Sequence, residues 1–108
     1  MARTIAIVED EQAIADNYRD ALTRLGYRVN HYLDRPSAMA AFSQSLPDLA
    51  IIDVGLGDDV EGGFELCREL RSRAPELPIV FLTARSDEFD VISGLRLGAD
   101  DYLTKDIG

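Results

Sequence analysis

The chain is predicted to be an α/β domain built on a parallel sheet covered on both faces, and three features of the sequence say so. Near-continuous apolar runs, Thr4-Ile5-Ala6-Ile7-Val8, Leu49-Ala50-Ile51-Ile52 and Ile79-Val80-Phe81-Leu82-Thr83, have the pattern of strands buried on both sides. Between them lie segments of helical period, long enough for the crossovers that parallel pairing requires and that right-handedness restricts to a few topologies. The strands also end in chemically capable residues: Glu9 and Asp10, Asp53, Thr83 and Lys105. Parallel sheets bind ligands outside the carboxyl ends of their strands, so these residues share one edge.

At 108 residues the chain makes one domain, large enough for a real core. Its 46% hydrophobic content excludes disorder and its 29% charged content excludes a membrane protein. The net charge of -9 argues against nucleic-acid binding by this segment, because that binding needs Lys and Arg to neutralise phosphates. No N-terminal stretch approaches a signal-peptide core or a membrane span, which predicts a cytoplasmic protein without a membrane partner.

The elements follow in order. Behind the first strand, Asp10-Glu11-Gln12 suits a helix N-terminus, and Ile14, Tyr18, Ala21, Leu22 and Leu25 recur at helical spacing until Gly26 stops the helix. Tyr27, Val29, His31 and Leu33 then alternate with Arg28, Asn30 and Tyr32, the signature of a half-covered strand at or near a sheet edge. His31 lies inside that alternation with no carboxylate or cysteine beside it in sequence, and reads as a packing residue. Asp34, Pro36 and Ser37 open a second helix whose stripe is Met39, Phe42 and Leu46, broken by Pro47. The central strand ends in Asp53, and a loop rich in Gly and Asp leads to a third helix carrying Phe64, Leu66, Cys67 and Leu70. Cys67, the one cysteine, has no partner for a disulfide or metal site and reads as a small buried hydrophobe. After the strand introduced by Pro78, Ser86-Asp87-Glu88 caps a fourth helix predicted to turn Phe89, Ile92 and Leu95 inward and to stop at Gly98. Asp101 to Lys105 is the fifth strand.

Three acids, a hydroxyl and an ammonium at one edge suit phosphoryl transfer onto an oxygen nucleophile, which needs alignment and charge neutralisation more than covalent help. Clustered carboxylates invite a hard divalent cation, and two of them plus a backbone carbonyl suffice for Mg²⁺ (or Mn²⁺). Lys105 would pair with phosphoryl oxygens, and the Thr83 hydroxyl would hydrogen-bond to them.

At these residues the sequence resembles the receiver domains of bacterial two-component response regulators over essentially its whole length. The likeness is carried by Glu9-Asp10, Asp53, Thr83-Ala84 and Gly98-Ala99-Asp100-Asp101-Tyr102-Leu103-Thr104-Lys105. It implies a flavodoxin-like five-stranded sheet of order 2-1-3-4-5 over residues 1–108. It further implies that Asp53 accepts a phosphoryl group from a sensor histidine kinase or phosphotransfer protein. Asp10, Asp53 and the Gly55 carbonyl would then bind Mg²⁺ with help from Glu9, while Thr83, Ala84 and Lys105 meet the phosphate. Thr83 and Tyr102 would switch the surface of the fourth helix and fifth strand, controlling an output such as transcription and supporting a homodimer.

Three departures set further expectations. The loop at 57–63 looks longer and more acidic than is usual, which predicts a mobile loop and a shifted start for the third helix. Asp106 stands where the family commonly has Pro, predicting a trans Lys105-Asp106 bond. No residues remain for the family's fifth helix, which predicts a truncated domain with an uncovered sheet face able to associate. Competing readings are an aspartyl-phosphate phosphatase of the haloacid dehalogenase type, disfavoured because Gly55 replaces the second acid, and a receiver-like module that is never phosphorylated. A nucleotide-binding domain lacks its glycine-rich turn after the first strand.

Overall fold

The computed structural model describes residues 2–105. Its elements are β1 (Thr4–Val8), α1 (Gln12–Arg24), β2 (Arg28–Tyr32), α2 (Arg35–Phe42), β3 (Leu49–Ile52), α3 (Gly62–Arg73), β4 (Ile79–Thr83), α4 (Glu88–Arg96) and β5 (Asp101–Thr104). The five strands pair in parallel in the order β2-β1-β3-β4-β5, the flavodoxin-like arrangement expected. The order reverses direction at β1, so the carboxyl ends of β1 and β3 lie side by side at the switch point where such sheets carry their sites.

Side chains alternate across the sheet, and the two faces are covered unequally. Ala6, Val8, Ala50, Ile52, Ile79, Phe81 and Tyr102 pack with Phe42 of α2 and Phe64, Leu66 and Leu70 of α3 into the main core. On the opposite face, among the described residues, α1 alone supplies cover, with Ala15, Tyr18 and Leu22 against Ile5 and Ile7. That cover thins toward β5: Ile51, Val80 and Leu82 are half-buried, and Leu103 is 47% exposed. Only β1 is therefore buried on both faces; β3 and β4, expected to be so, alternate because one helix cannot span five strands.

Several helix details differ from expectation. α2 ends at Phe42, before Leu46, which is left exposed, and the residue actually buried beside Phe42 is Ala38. Leu25 caps α1 from outside, while Gly26 at φ 97° ends that helix as predicted. Tyr32, assigned to the polar side of β2, instead packs edge-on against Phe42 with centroids 5.5 Å apart.

The largest correction concerns α4, where Phe89, Ile92 and Leu95 point outward and Val91, Gly94 and Leu97 face the sheet. Two apolar stripes compete in this helix. The smaller one faces inward because Tyr102 occupies the space: a Cβ on Gly94 would come within 2.9 Å of the Tyr102 ring and 3.1 Å of Phe81. The predicted caps hold, with Asp34 accepting from Ser37 N and Asp87 from Phe89 N, both at 2.8 Å.

Candidate functional site

Strand β1 delivers Glu9 and Asp10 past its last residue, and β3 delivers Asp53, whose N–H continues the ladder by donating to Val8 O at 2.9 Å. Lys105 arrives beyond β5, its own N–H donating to Thr83 O at 2.8 Å. Its ammonium lies 2.8 Å from Asp53 Oδ2 and 2.5 Å from Glu9 Oε1. The side chains of Lys105, Glu9 and Asp53 are only 9%, 3% and 12% exposed, so this is an enclosed ionic cluster. Asp10 stands at its mouth, exposed, with Oδ2 accepting from Gly57 N at 3.0 Å. One oxygen from each of Glu9, Asp10 and Asp53 falls within 4.8 Å of the others. The residues predicted to bind a cation and to pair with phosphate are thus brought together.

Burial raises the Glu9 carboxyl from 4.5 to about 7, against the opposing pull of Lys105 and of Glu11 N–H, and the nearby Asp53 charge adds to the rise. Burial works against the Lys105 ammonium too, but the Asp53 and Glu9 carboxylates outweigh it and hold its pKa above the usual value. One ammonium facing three carboxylates leaves negative charge uncompensated. Hard oxygen donors with excess negative charge match what Mg²⁺ or Mn²⁺ requires, so these residues fit such an ion.

Thr83 is buried, and its hydroxyl oxygen accepts from Arg85 N at 3.3 Å, leaving its proton free to donate elsewhere. Ala84 is exposed at the rim. Tyr102 is buried, its hydroxyl donating to Arg85 O at 2.7 Å. The backbone of Arg85 is therefore touched at its N–H by Thr83 and at its carbonyl by Tyr102, which connects the two predicted switch residues through one peptide segment. Gly55 lies two residues beyond Asp53, where an added Cβ would meet nothing closer than Val60 O at 3.7 Å.

The loop after β3, expected to be mobile, carries several hydrogen bonds. Leu56 and Asp59 exchange backbone hydrogen bonds of 3.0 and 3.2 Å around Gly57 at φ 66°, and Leu56 is buried. Arg35 Nε holds Asp59 at 2.9 Å, while Arg85 donates to Val60 O at 3.0 Å and to Glu61 at 3.2 Å. These arginines sit far off in sequence, so no local signal announced them. Helix α3 begins hard against the site: Gly63 N donates to Val54 O at 2.7 Å, and a Cβ on Gly63 would lie 2.0 Å from Asp53 O. His31, taken as packing, donates from Nε2 to the Glu9 carbonyl at 2.7 Å. The geometry of the Lys105-Asp106 bond lies outside the described residues.

The family model described as response regulator receiver domain matches residues 5–108. The chain belongs to that family. It is 45% identical over 102 residues to the transcriptional regulatory protein CreB of Escherichia coli (strain K12), covering 94% of this chain but 44% of CreB. It spans less than half the length of that relative. A receiver domain protein (CheY-like) from Methanospirillum hungatei JF-1 superposes with a TM-score of 0.91 at 26% identity, covering 100% of this chain and 85% of the other. The Mn²⁺-bound form of response regulator Rcp1 gives 0.89 at 26% identity, with 98% and 83% covered. This is then a receiver of a two-component response regulator, a signalling domain of a family that binds Mg²⁺ in an acidic pocket and interacts with histidine kinases. The phosphatase and nucleotide-binding alternatives find no support in it. Among the described residues no helix is long and apolar enough to cross a membrane.

Proposed function

We propose that this receiver is phosphorylated on Asp53 by a sensor histidine kinase or phosphotransfer protein and passes the signal to an output through α4 and β5. The observation that carries this reading is the enclosed contact of Lys105 Nζ with Asp53 Oδ2 at 2.8 Å, beside two further carboxylates. An Asp53 oxygen attacks the phosphorus of a phosphohistidine; the P–N bond breaks, and its electron pair leaves with the imidazole nitrogen, which takes up a proton. Glu9, Asp10 and Asp53, with the Gly55 carbonyl, would hold Mg²⁺, or Mn²⁺ in its place, which would supply charge neutralisation for the transferring oxygens. Lys105 exchanges its carboxylate partners for a phosphoryl oxygen.

Thr83 then donates its free hydroxyl proton toward the phosphate, with the Ala84 backbone beside it, and the move disturbs the Arg85 peptide that Tyr102 holds. Tyr102 changes rotamer, and α4 repacks. The exposed Phe89, Ile92 and Leu95 support contact of this surface with a second copy, and the thinly covered strip of Ile51, Leu82 and Leu103 on the opposite face supports a further helix there in the full domain. The likeness to CreB supports transcriptional control through a segment outside this chain, in the cytoplasm.

Incubation with a small acyl-phosphate donor and Mg²⁺, followed by intact-mass measurement, tests the chemistry. Wild type gains a single phosphoryl adduct, while Asp53→Asn or chelation of the metal abolishes it. An adduct persisting on Asp53→Asn would refute the assignment.

A further inference from the structure

The β1–β2 ladder runs out just where the site begins. Glu9 N makes its last rung, donating to Tyr32 O at 3.0 Å, after which the β2 chain turns away and Asp34 caps α2. No backbone N–H reaches the Glu9 carbonyl among the described residues. A carbonyl left without a donor in a half-buried position is costly, and here a side chain supplies one. His31, paired in register with Ile7, lies on the α1 face beneath this turn, and its Nε2 stands 2.7 Å from Glu9 O. Because a carbonyl can only accept, Nε2 carries the hydrogen.

The position of that bond matters. Glu9 C=O and Asp10 N–H belong to one rigid peptide plane, so anchoring the oxygen fixes where the Asp10 Cα emerges. Asp10 itself is exposed, and its side chain is tied by Gly57 N, which donates to Oδ2. The Asp10 carboxylate is thus placed from two directions: from the edge strand through its backbone, and from the turn after β3 through its oxygen.

We propose that His31 is a positioning residue for the cation site, holding the Glu9-Asp10 peptide so that the Asp10 carboxylate meets Asp53 around one ion. The inference rests on the acidic pocket being a Mg²⁺ site. It differs from a packing role in one respect that can be measured: a phenyl ring would fill the same space but could not donate. Partners behind metal ligands of this kind carry measurable affinity.

The test is Mg²⁺ titration of the whole chain by calorimetry, with wild type, His31→Phe and His31→Gln, whose amide nitrogen can occupy the Nε2 position. His31→Phe is expected to weaken Mg²⁺ binding about three- to tenfold, and His31→Gln to restore it to within about twofold of wild type. Wild-type affinity in His31→Phe, or a loss that His31→Gln does not rescue, would overturn the role of His31 alone. Absence of saturable Mg²⁺ binding by wild type would overturn the cation site and this inference with it. A measurement on wild type needs no variant to fold: long-range ¹H–¹⁵N spectra should show the Nε2–H tautomer of His31. A dominant Nδ1–H tautomer would overturn the hydrogen bond on which the inference stands.

Discussion

Helices α3 and α4 follow neighbouring strands and pack on the same face of the sheet, but they are attached by different forces. α3 buries Phe64, Leu66, Cys67 and Leu70, and its first turn is wedged against the Asp53 carbonyl at Gly63. α4 buries Gly94 and leaves Phe89 81% exposed. Beyond the half-buried Val91 and Leu97, what holds α4 is directional and polar. Arg85 grips Asp90 with two nitrogens at 2.7 and 3.1 Å at its start, and Arg71 donates to Gly98 O at 2.6 and 3.0 Å at its end. Dispersion and desolvation resist any displacement, whereas a few hydrogen bonds can be exchanged for others at small net cost. A site flanked by both kinds of helix has a fixed wall and an adjustable one, which is what transmission of a chemical event to a surface requires.

The comparison is broken most directly by equal truncations on the two helices. Leu70→Ala should lower the unfolding free energy by about 2–5 kcal/mol, while Leu95→Ala should stay within about 0.5 kcal/mol. Urea denaturation measures both, and equal losses would show that α4 is anchored like α3. Next in size, Gly94→Ala places a Cβ 2.9 Å from the Tyr102 ring, so it should cost about 1–3 kcal/mol by overpacking and push the ring outward. The nuclear Overhauser contacts of Tyr102 to Phe81 and α4 report the ring's position; unchanged contacts would mean that Gly94 does not choose the inward stripe.

A third effect separates the site from both helices. Glu9 titrates at about 7 in the folded protein against 4.5 for an ordinary glutamate, so between those values the folded state keeps a proton that the unfolded chain has released. The contribution of Glu9 to the stability of the metal-free protein is therefore fully present below about pH 4.5, falls as pH rises toward 7 and levels off above it. The melting temperature followed across that range should show this slope in wild type, Leu70→Ala and Leu95→Ala alike, and Glu9→Gln should remove it. A slope surviving in Glu9→Gln would assign the titration to another group.

Most of the site was legible because its residues sit at strand ends, and a strand end is marked by where an apolar run stops. Asp53 after Ile52 and Thr83 after Leu82 needed nothing more. The orientation of α4 was not legible, since Phe89-Ile92-Leu95 and Val91-Gly94-Leu97 are both helical stripes and the more hydrophobic one looks like the inner face. The ties of the loop after β3 and the hydrogen bond of His31 were hidden for a related reason: Arg35, Arg85 and Glu9 are remote from their partners in sequence.

By itself the amino-acid order determined the alternation of strands and helices, their parallel pairing and the set of charged groups collected at one edge. These follow from periodicity and chain connectivity, which are local properties. Only the tertiary structure decided which side of α4 faces in, which arginine holds which acid, and which carbonyl His31 meets. Each of those depends on the space and the unpaired atoms that distant segments leave for one another, and no single stretch of chain contains that information.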